Sequence, residues 1–328
     1  MIRRAVANAT RAWTVGSEFE AQYLLQDISI DVILRAVFGV RAPETSVELK
    51  SELVGLLNDR RLTMGLLGRL RESAPDPVLR DFQQRLGRLR QLTKEMISAR
   101  RAATRDEENE DVLSMLLAVT DELGQPRADE EVCDELLTLV VTGHETTATA
   151  LAWGLYWIAS HEHVERRLRA ELDESGAALE TKAITQLEYL DAVCKEVLRI
   201  FPIVPSVFRE VVRPFSVAGY DFEPGVVLSP SIYLTHHRPD LYPDSARFDP
   251  ERFQRRTYSP YEYLPFGGGA RRCIGMNLAT YEMKVIIAAL FGRFELGLAS
   301  AEPVVPVRRM VAIAPSGGPR MTVQALRS

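Results

Sequence analysis

Phe266-Gly267-Gly268-Gly269-Ala270-Arg271-Arg272-Cys273-Ile274-Gly275 decides how the rest of this chain is read. A cysteine closes a glycine-rich run, and the apolar, proline-free stretch Met276 to Phe291 follows it with helical spacing. Cys273 therefore stands just ahead of a helix N-terminus. There the unpaired backbone N–H groups and the positive end of the helix dipole favour an anion such as a thiolate. Arg271 and Arg272 act in the same direction. Three consecutive glycines let the backbone lie flat against a bulky partner, because no Cβ intervenes. A thiolate held beside a flat object is what a haem iron takes from a proximal cysteine. Taken alone, a single cysteine is more often an inert buried residue. A dinucleotide fingerprint is excluded, since no GxGxxG register fits Gly267 to Gly275 and no strand-turn-helix unit surrounds it.

The composition is that of an ordinary globular chain: 328 residues, 46% hydrophobic and 26% charged, enough to bury a sizeable core. A net charge of −5 gives no electrostatic case for nucleic acid. Apolar stretches such as Leu136 to Val141 fall far short of the roughly 20 residues a membrane-spanning helix needs. Met1-Ile2-Arg3-Arg4 leads into no apolar signal core, so a cytoplasmic protein with no membrane span is expected. Cys133, Cys194 and Cys273 are widely spaced without a CxxC, which argues against a disulfide framework or a zinc ribbon.

Up to about residue 200 the pattern is mostly helical. Ile28 to Val40 is expected to form a buried helix ended by Gly39 and Pro43, with longer amphipathic helices over Ser46 to Leu70 and Pro77 to Arg101. The charged segment Ala102 to Asp111 reads as a loop. Beyond residue 200 prolines multiply, and short β-like runs appear at Phe215 to Phe222 and Val226 to Leu228. Val304 to Val323 alternates enough for short strands around Pro315-Ser316-Gly317-Gly318. The fold class is mainly α with a smaller β part.

Three further stretches carry chemistry. Asp129 to Ser160 is a long proline-free helix whose middle reads Thr142-Gly143-His144-Glu145-Thr146-Thr147. A glycine, an acid and hydroxyls in an apolar helix form a local inconsistency, where function tends to show. Zinc is excluded, because HExxH would need a histidine where Ala148 stands. Return of the threonine hydroxyls to the preceding turn is the competing structural explanation. Next, Glu196 and Arg199 lie three apart on the helix Leu190 to Phe201, close enough for an ion pair that by itself would be a solvated contact of small value. Finally, Phe201-Pro202-Ile203-Val204-Pro205-Ser206-Val207-Phe208-Arg209 is apolar until its last charged residue. His236 and His237 sit in a polar stretch and read as loop or cap residues.

Phe266, Gly269, Arg271, Cys273 and Gly275 fill every fixed position of Phe-x-x-Gly-x-Arg-x-Cys-x-Gly, which resembles the haem-binding loop of the cytochrome P450 family. The order of Thr142 to Thr147, Glu196-x-x-Arg199, Pro250-Glu251-Arg252-Phe253 and the cysteine loop is similar to that family from roughly Ile28 to the C-terminus. The resemblance implies a haem-dependent monooxygenase that places one oxygen atom of O₂ in a small apolar substrate. Haem b (iron protoporphyrin IX) would be bound by Cys273 as axial ligand, with Phe266, Gly267 and Gly275 shaping the loop and Gly143 opening a groove for dioxygen. It further implies that Glu145 and Thr146 deliver protons and that Arg271 and Arg209 hold the propionates. Glu196, Arg199 and Arg252 would form a buried structural triad, and Ile203, Val204, Val207 and Phe208 would line the substrate pocket, with Ala312 to Ser316 at its rim.

Electrons would come from a separate ferredoxin or flavodoxin type donor, since no flavin or nicotinamide signature appears; a peroxide-using variant is disfavoured by the intact Glu145-Thr146 pair. The resemblance implies a single P450 domain over 1–328, acting as a monomer. Its α-rich body would cover about 1–200 and 274–295, its mixed β region about 201–273 and its C-terminal hairpin about 303–325. It also implies an N-terminally truncated form, because the family's N-terminal β region does not precede Ile28. Thr142 departs from the family's usual alanine or glycine. A haem-binding or structural remnant without turnover is the alternative.

Overall fold

The structure is a computed structural model that describes residues 1–39, 43–58, 77–103, 111–120, 123–176, 181–309 and 311–327. The chain forms two compact units, one of Met1 and Gln26–Glu145, the other of Ile2–Leu25 and Thr146–Ser328.

In the first unit, helix Ala21–Phe38 contributes its later turns, and helices Pro43–Asn58 and Pro77–Ala102 pack together. The two are bridged at their polar edges by Arg85 to Glu52 (3.2 Å) and Arg88 to Glu48 (2.7 Å). Their apolar stripes, Leu49 and Leu53 against Leu89 and Leu92, are buried as the period of 3.6 requires. Asp111 caps helix Val112–Ala118 by accepting from the Ser114 amide (2.7 Å) and pairs with Arg100 (2.8 Å). Arg100 also donates to the Phe38 carbonyl (3.1 Å), which ties off the end of helix Ala21–Phe38. Gly39 follows there at φ +61°. The helix predicted over Ile28 to Val40 thus begins seven residues earlier, because Ala21 and Leu25 belong to the same buried face. Helix Pro43–Asn58 starts before the predicted Ser46; the predicted continuation to Leu70 lies outside the described residues, as does most of the predicted loop 102–111.

In the second unit, helices Glu188–Ile200 and Met276–Arg293 form the interior. The first buries ten of its residues and the second nine, so both are covered on most sides. Helix Glu188–Ile200 stops where Pro202 removes a donor and biases Phe201 away from helical geometry. Helix Ile2–Ala9 lies on Met276–Arg293, with Ile2 and Val6 buried. A three-stranded antiparallel sheet runs in the order Glu18–Glu20, Arg320–Leu326, Phe294–Leu298, with a bulge between Glu295 and Leu296. Among the described residues three two-stranded pairs complete the β part: Arg209–Glu210 with Val227–Leu228, Phe215–Val217 with Tyr220–Phe222, and Pro306–Arg309 with Ala312–Pro315. The mainly α class with a smaller β part is observed. Among the described residues no helix is long and apolar enough to cross a membrane.

Candidate active site

The cysteine loop is built by local chain chemistry. Gly267 donates to the Leu264 carbonyl (2.9 Å), and Gly267 and Gly269 adopt φ of +70° and +67°, the left-handed region that a Cβ disfavours. A short 3₁₀ turn over Gly269–Arg271 follows, and the Cys273 amide closes the loop onto the Phe266 carbonyl (3.0 Å). Gly275 caps helix Met276–Arg293, and its carbonyl accepts from Ala279 (2.8 Å). Cys273 and Arg271 are exposed, Phe266 and Gly267 half-buried.

The other two cysteines differ in kind. Cys194 is fully buried, and burial pushes its thiol up to about 12. Burial also raises Cys133. Both are inert packing residues, which leaves Cys273 as the accessible thiol. A Cβ placed on Gly267, Gly268 or Gly269 would meet no atom within 4 Å, so this side of the loop is open to a flat group. One soft sulfur donor beside an open glycine face fits haem iron. Among the described residues no cluster of His, Cys, Asp or Glu offers a competing metal site.

The loop is steadied from the interior. Glu196 and Arg199 are 0% exposed and Arg252 4%. Arg199 grips Glu196 with two parallel bonds, Nε to Oε2 at 2.7 Å and Nη2 to Oε1 at 2.8 Å. Arg252 Nε adds a third at 3.1 Å, and the Asp249 amide a fourth at 2.9 Å. The remaining guanidinium donors reach backbone carbonyls: Arg199 those of His236 and Arg247, Arg252 those of Pro243 and Arg247. Burial holds the Glu196 carboxyl above its ordinary range, opposed only in part by the Arg199 bond, the charges of both arginines and the Asp249 amide.

His236 reads in the sequence as a loop or cap residue. It does end helix Ile232–His236, but it is wholly buried at the centre of this network. Its Nε2 accepts from the Leu264 amide (3.0 Å), two residues ahead of Phe266. Nε2 must then be unprotonated, which assigns the proton to Nδ1, donated to the Arg199 carbonyl (3.3 Å). His236 thus links the triad to the loop that carries Cys273. The signal in the sequence was its spacing: Ile232 and His236 lie four apart on one buried face.

Burial lowers His236 to about 3. A second proton would also set N–H against N–H at Leu264. Because the folded value lies below the ordinary 6.5, the unfolded chain binds more protons between those limits, and stability is full above 6.5 and falls with pH below it. Urea unfolding is expected to show a loss of about 2 kcal/mol from pH 7 to pH 5. Half-buried His161 and His237 are lowered by burial too, so His236→Gln isolates the effect by flattening most of that slope.

The segment Phe201 to Arg209, which the family resemblance places as a strand, is only partly one. Pro202 and Pro205 supply no donors, and regular pairing starts at Arg209–Glu210. Ile203 is buried and accepts from the Ile313 amide (2.9 Å). Val204 and Val207 are half-buried, and Phe208 is exposed. Arg209 is exposed and donates to the carbonyl of Phe208 (2.8 Å).

Helix Asp129–Ala159 carries the remaining expected residues: Gly143 and Glu145 in the first unit, Thr146 at the start of the second, all half-buried. Thr142 returns its hydroxyl to the Thr138 carbonyl (2.7 Å). Gly143 has a packing role: a Cβ there would stand 3.0 Å from Ile33 Cδ1, so the glycine admits the Ala21–Phe38 helix.

An accessible cysteine at an open glycine loop, secured beneath by a buried Glu-Arg-Arg network in a mainly α fold, defines the haem-thiolate monooxygenases as a class. A model described as Cytochrome P450 matches residues 2–318, and the chain belongs to that family. It is 35% identical over 327 residues to cytochrome P450 135B1 of Mycobacterium tuberculosis, covering 98% of this chain and 67% of that one. It is 33% identical to the cyclooctat-9-en-7-ol 5-monooxygenase of Streptomyces melanosporofaciens, with 89% and 66% covered. Among solved structures it is similar to retinoic-acid-bound cyanobacterial CYP120A1, at TM-score 0.84 and 28% identity over 98% of this chain and 73% of that one. The chain spans about two thirds of the length of the curated relatives it matches.

Proposed function

We propose that this chain uses haem b, with Cys273 Sγ as the axial iron ligand, to place one oxygen atom of O₂ in a small apolar molecule. The observation that carries this is the accessible Cys273 thiol at an open glycine face while Cys133 and Cys194 are buried. When bound, the haem supplies the activation of dioxygen, and the thiolate's electron donation favours O–O cleavage.

The chain's own residues position and supply protons. Cys273 is held by its amide bond to Phe266 O and by the helix that starts at Met276. Arg271 on the cysteine loop and Arg209 at its strand edge are suited to the propionates, because a guanidinium fork can bind two carboxylate oxygens. Glu145 brings protons from solvent and Thr146 passes them on at its hydroxyl. Ile203, Val204, Val207 and Phe208 select an apolar substrate such as a fatty acid, terpenoid or polyketide. The monooxygenase relative from Streptomyces, whose name denotes a cyclic alcohol substrate, supports that choice. A ferredoxin or flavodoxin type protein supplies electrons, and the enzyme acts as a monomer in the cytoplasm, its 1–328 span working as one P450 domain.

Thr146→Ala tests the proton role. The variant is expected to consume reducing equivalents at a rate near the wild type's while releasing more of them as peroxide and forming less product. Unchanged coupling of electrons to product would remove Thr146 from the mechanism.

A further inference from the structure

Downstream of Thr146, helix Asp129–Ala159 carries a set of closely packed aromatic residues. Positions 146, 150, 153 and 157 are spaced by four, three and four, so Thr146, Ala150, Trp153 and Trp157 follow one face of the helix. Trp153 stands about 10 Å along the axis from Thr146. It is 0% exposed, whereas Tyr156 and Trp157 reach partial exposure. Their rings form a continuous series. Trp153 lies 5.9 Å from Tyr156, Tyr156 lies 5.2 Å from Trp157, and Trp153 and Trp157 share Phe201 at 4.4 and 5.9 Å.

We propose that Trp153, Trp157 and Tyr156 form a one-electron relay that carries an oxidising equivalent from the Thr146 end of this helix to solvent. The proposal rests on the monooxygenase reading for the source of the oxidant, since a bound haem would supply one-electron oxidising equivalents. Trp153 loses one electron to it. The Trp153 Nε1–H stays bonded to the Ile313 carbonyl (3.1 Å), which cannot take the proton, so the oxidised indole remains a cation and draws an electron from its neighbours. Trp157 passes that electron on, and Tyr156 supplies it. Tyr156 is partly exposed, so its proton leaves to solvent as the phenol becomes a tyrosyl radical. An ascorbate-type reductant in solvent then returns one electron and one proton to Tyr156. In sum, one electron passes from that reductant to the oxidant, and the only bond broken, the Tyr156 O–H, is remade.

A second aromatic series, Tyr242, Tyr258, Phe253 and Tyr263, does not serve in this way. The Tyr242 and Tyr263 hydroxyls donate to the carbonyls of Glu262 and Lys195, and burial pushes both phenols upward. Neither has a base to take its proton.

Pulse radiolysis of the whole chain with azide radical as oxidant tests the relay without any haem. It therefore stands apart from the function proposed above. Trp13→Phe supplies the background, leaving indoles only at Trp153 and Trp157. The indole radical is expected to convert to tyrosyl radical at a rate independent of protein concentration, and ascorbate is expected to quench that product. Tyr156→Phe, which removes only a hydroxyl and so keeps the fold, is expected to lose the tyrosyl product. Equal tyrosyl yield in Tyr156→Phe, or conversion that is second order in protein, would overturn the relay.

Discussion

Cys273→Ala is expected to abolish thiolate ligation of haem iron while leaving the polypeptide folded. The side chain is exposed, and what shapes its loop is backbone: the amide bond from Cys273 to Phe266 O, the Gly267 to Leu264 bond, and two glycines at positive φ. None of these depends on sulfur. A surface substitution of this kind moves stability by under about 0.5 kcal/mol. Circular dichroism melts of the two proteins should superimpose, while the electron paramagnetic resonance signature of thiolate-bound ferric iron is present in the wild type and absent in the variant. A variant that unfolds would show that Cys273 is a packing residue. One that keeps the signature would transfer ligation to another sulfur.

Glu196→Ala has the opposite profile, a large cost in stability with no direct part in chemistry. The carboxylate accepts four hydrogen bonds and neutralises two guanidiniums in the interior. Its removal strands Arg199 and Arg252 where water cannot replace it, and breaking a buried pair in this way costs roughly 3–5 kcal/mol. Urea unfolding should show that loss as a lower midpoint with an unchanged slope. Lys94→Ala, which removes an exposed partner of Glu130, should leave the midpoint where it was. A Glu196→Ala midpoint equally unmoved would mean that the network does not hold the loop. Glu196→Gln, keeping shape and two acceptor positions at its oxygen, should fall between.

The contrast explains what could be read in the sequence. Long periodic helices are legible: Asp129–Ala159, Pro77–Ala102 and Met276–Arg293 begin within one residue of expectation, because burial repeats along them and Pro77 and Gly275 mark two of the starts. Helix Ile2–Ala9 and strand Glu18–Glu20 were not foreseen. The strand has three residues and owes its existence to pairing with Arg320–Leu326, some 300 positions away. The resemblance implies a strand over Phe201 to Arg209, yet Pro202 and Pro205 deny most of it a ladder. At the site, residues joined by local spacing, such as Glu196 with Arg199, could be paired on helical geometry, while Arg252 came only from the resemblance. His236 escaped because its partners, Arg199 and Leu264, are 37 and 28 residues away. Gly143 was assigned to dioxygen, and its contact with Ile33 gives it a packing reason as well.

The central claim is that Cys273 binds haem iron as a thiolate in this chain. The absorption spectrum of the haem-loaded protein, reduced and exposed to carbon monoxide, tests it most directly. A red-shifted Soret band of the thiolate type, lost in Cys273→Ala, is the predicted result. A band at the position given by a histidine or neutral-thiol ligand, or no haem taken up at all, would contradict it.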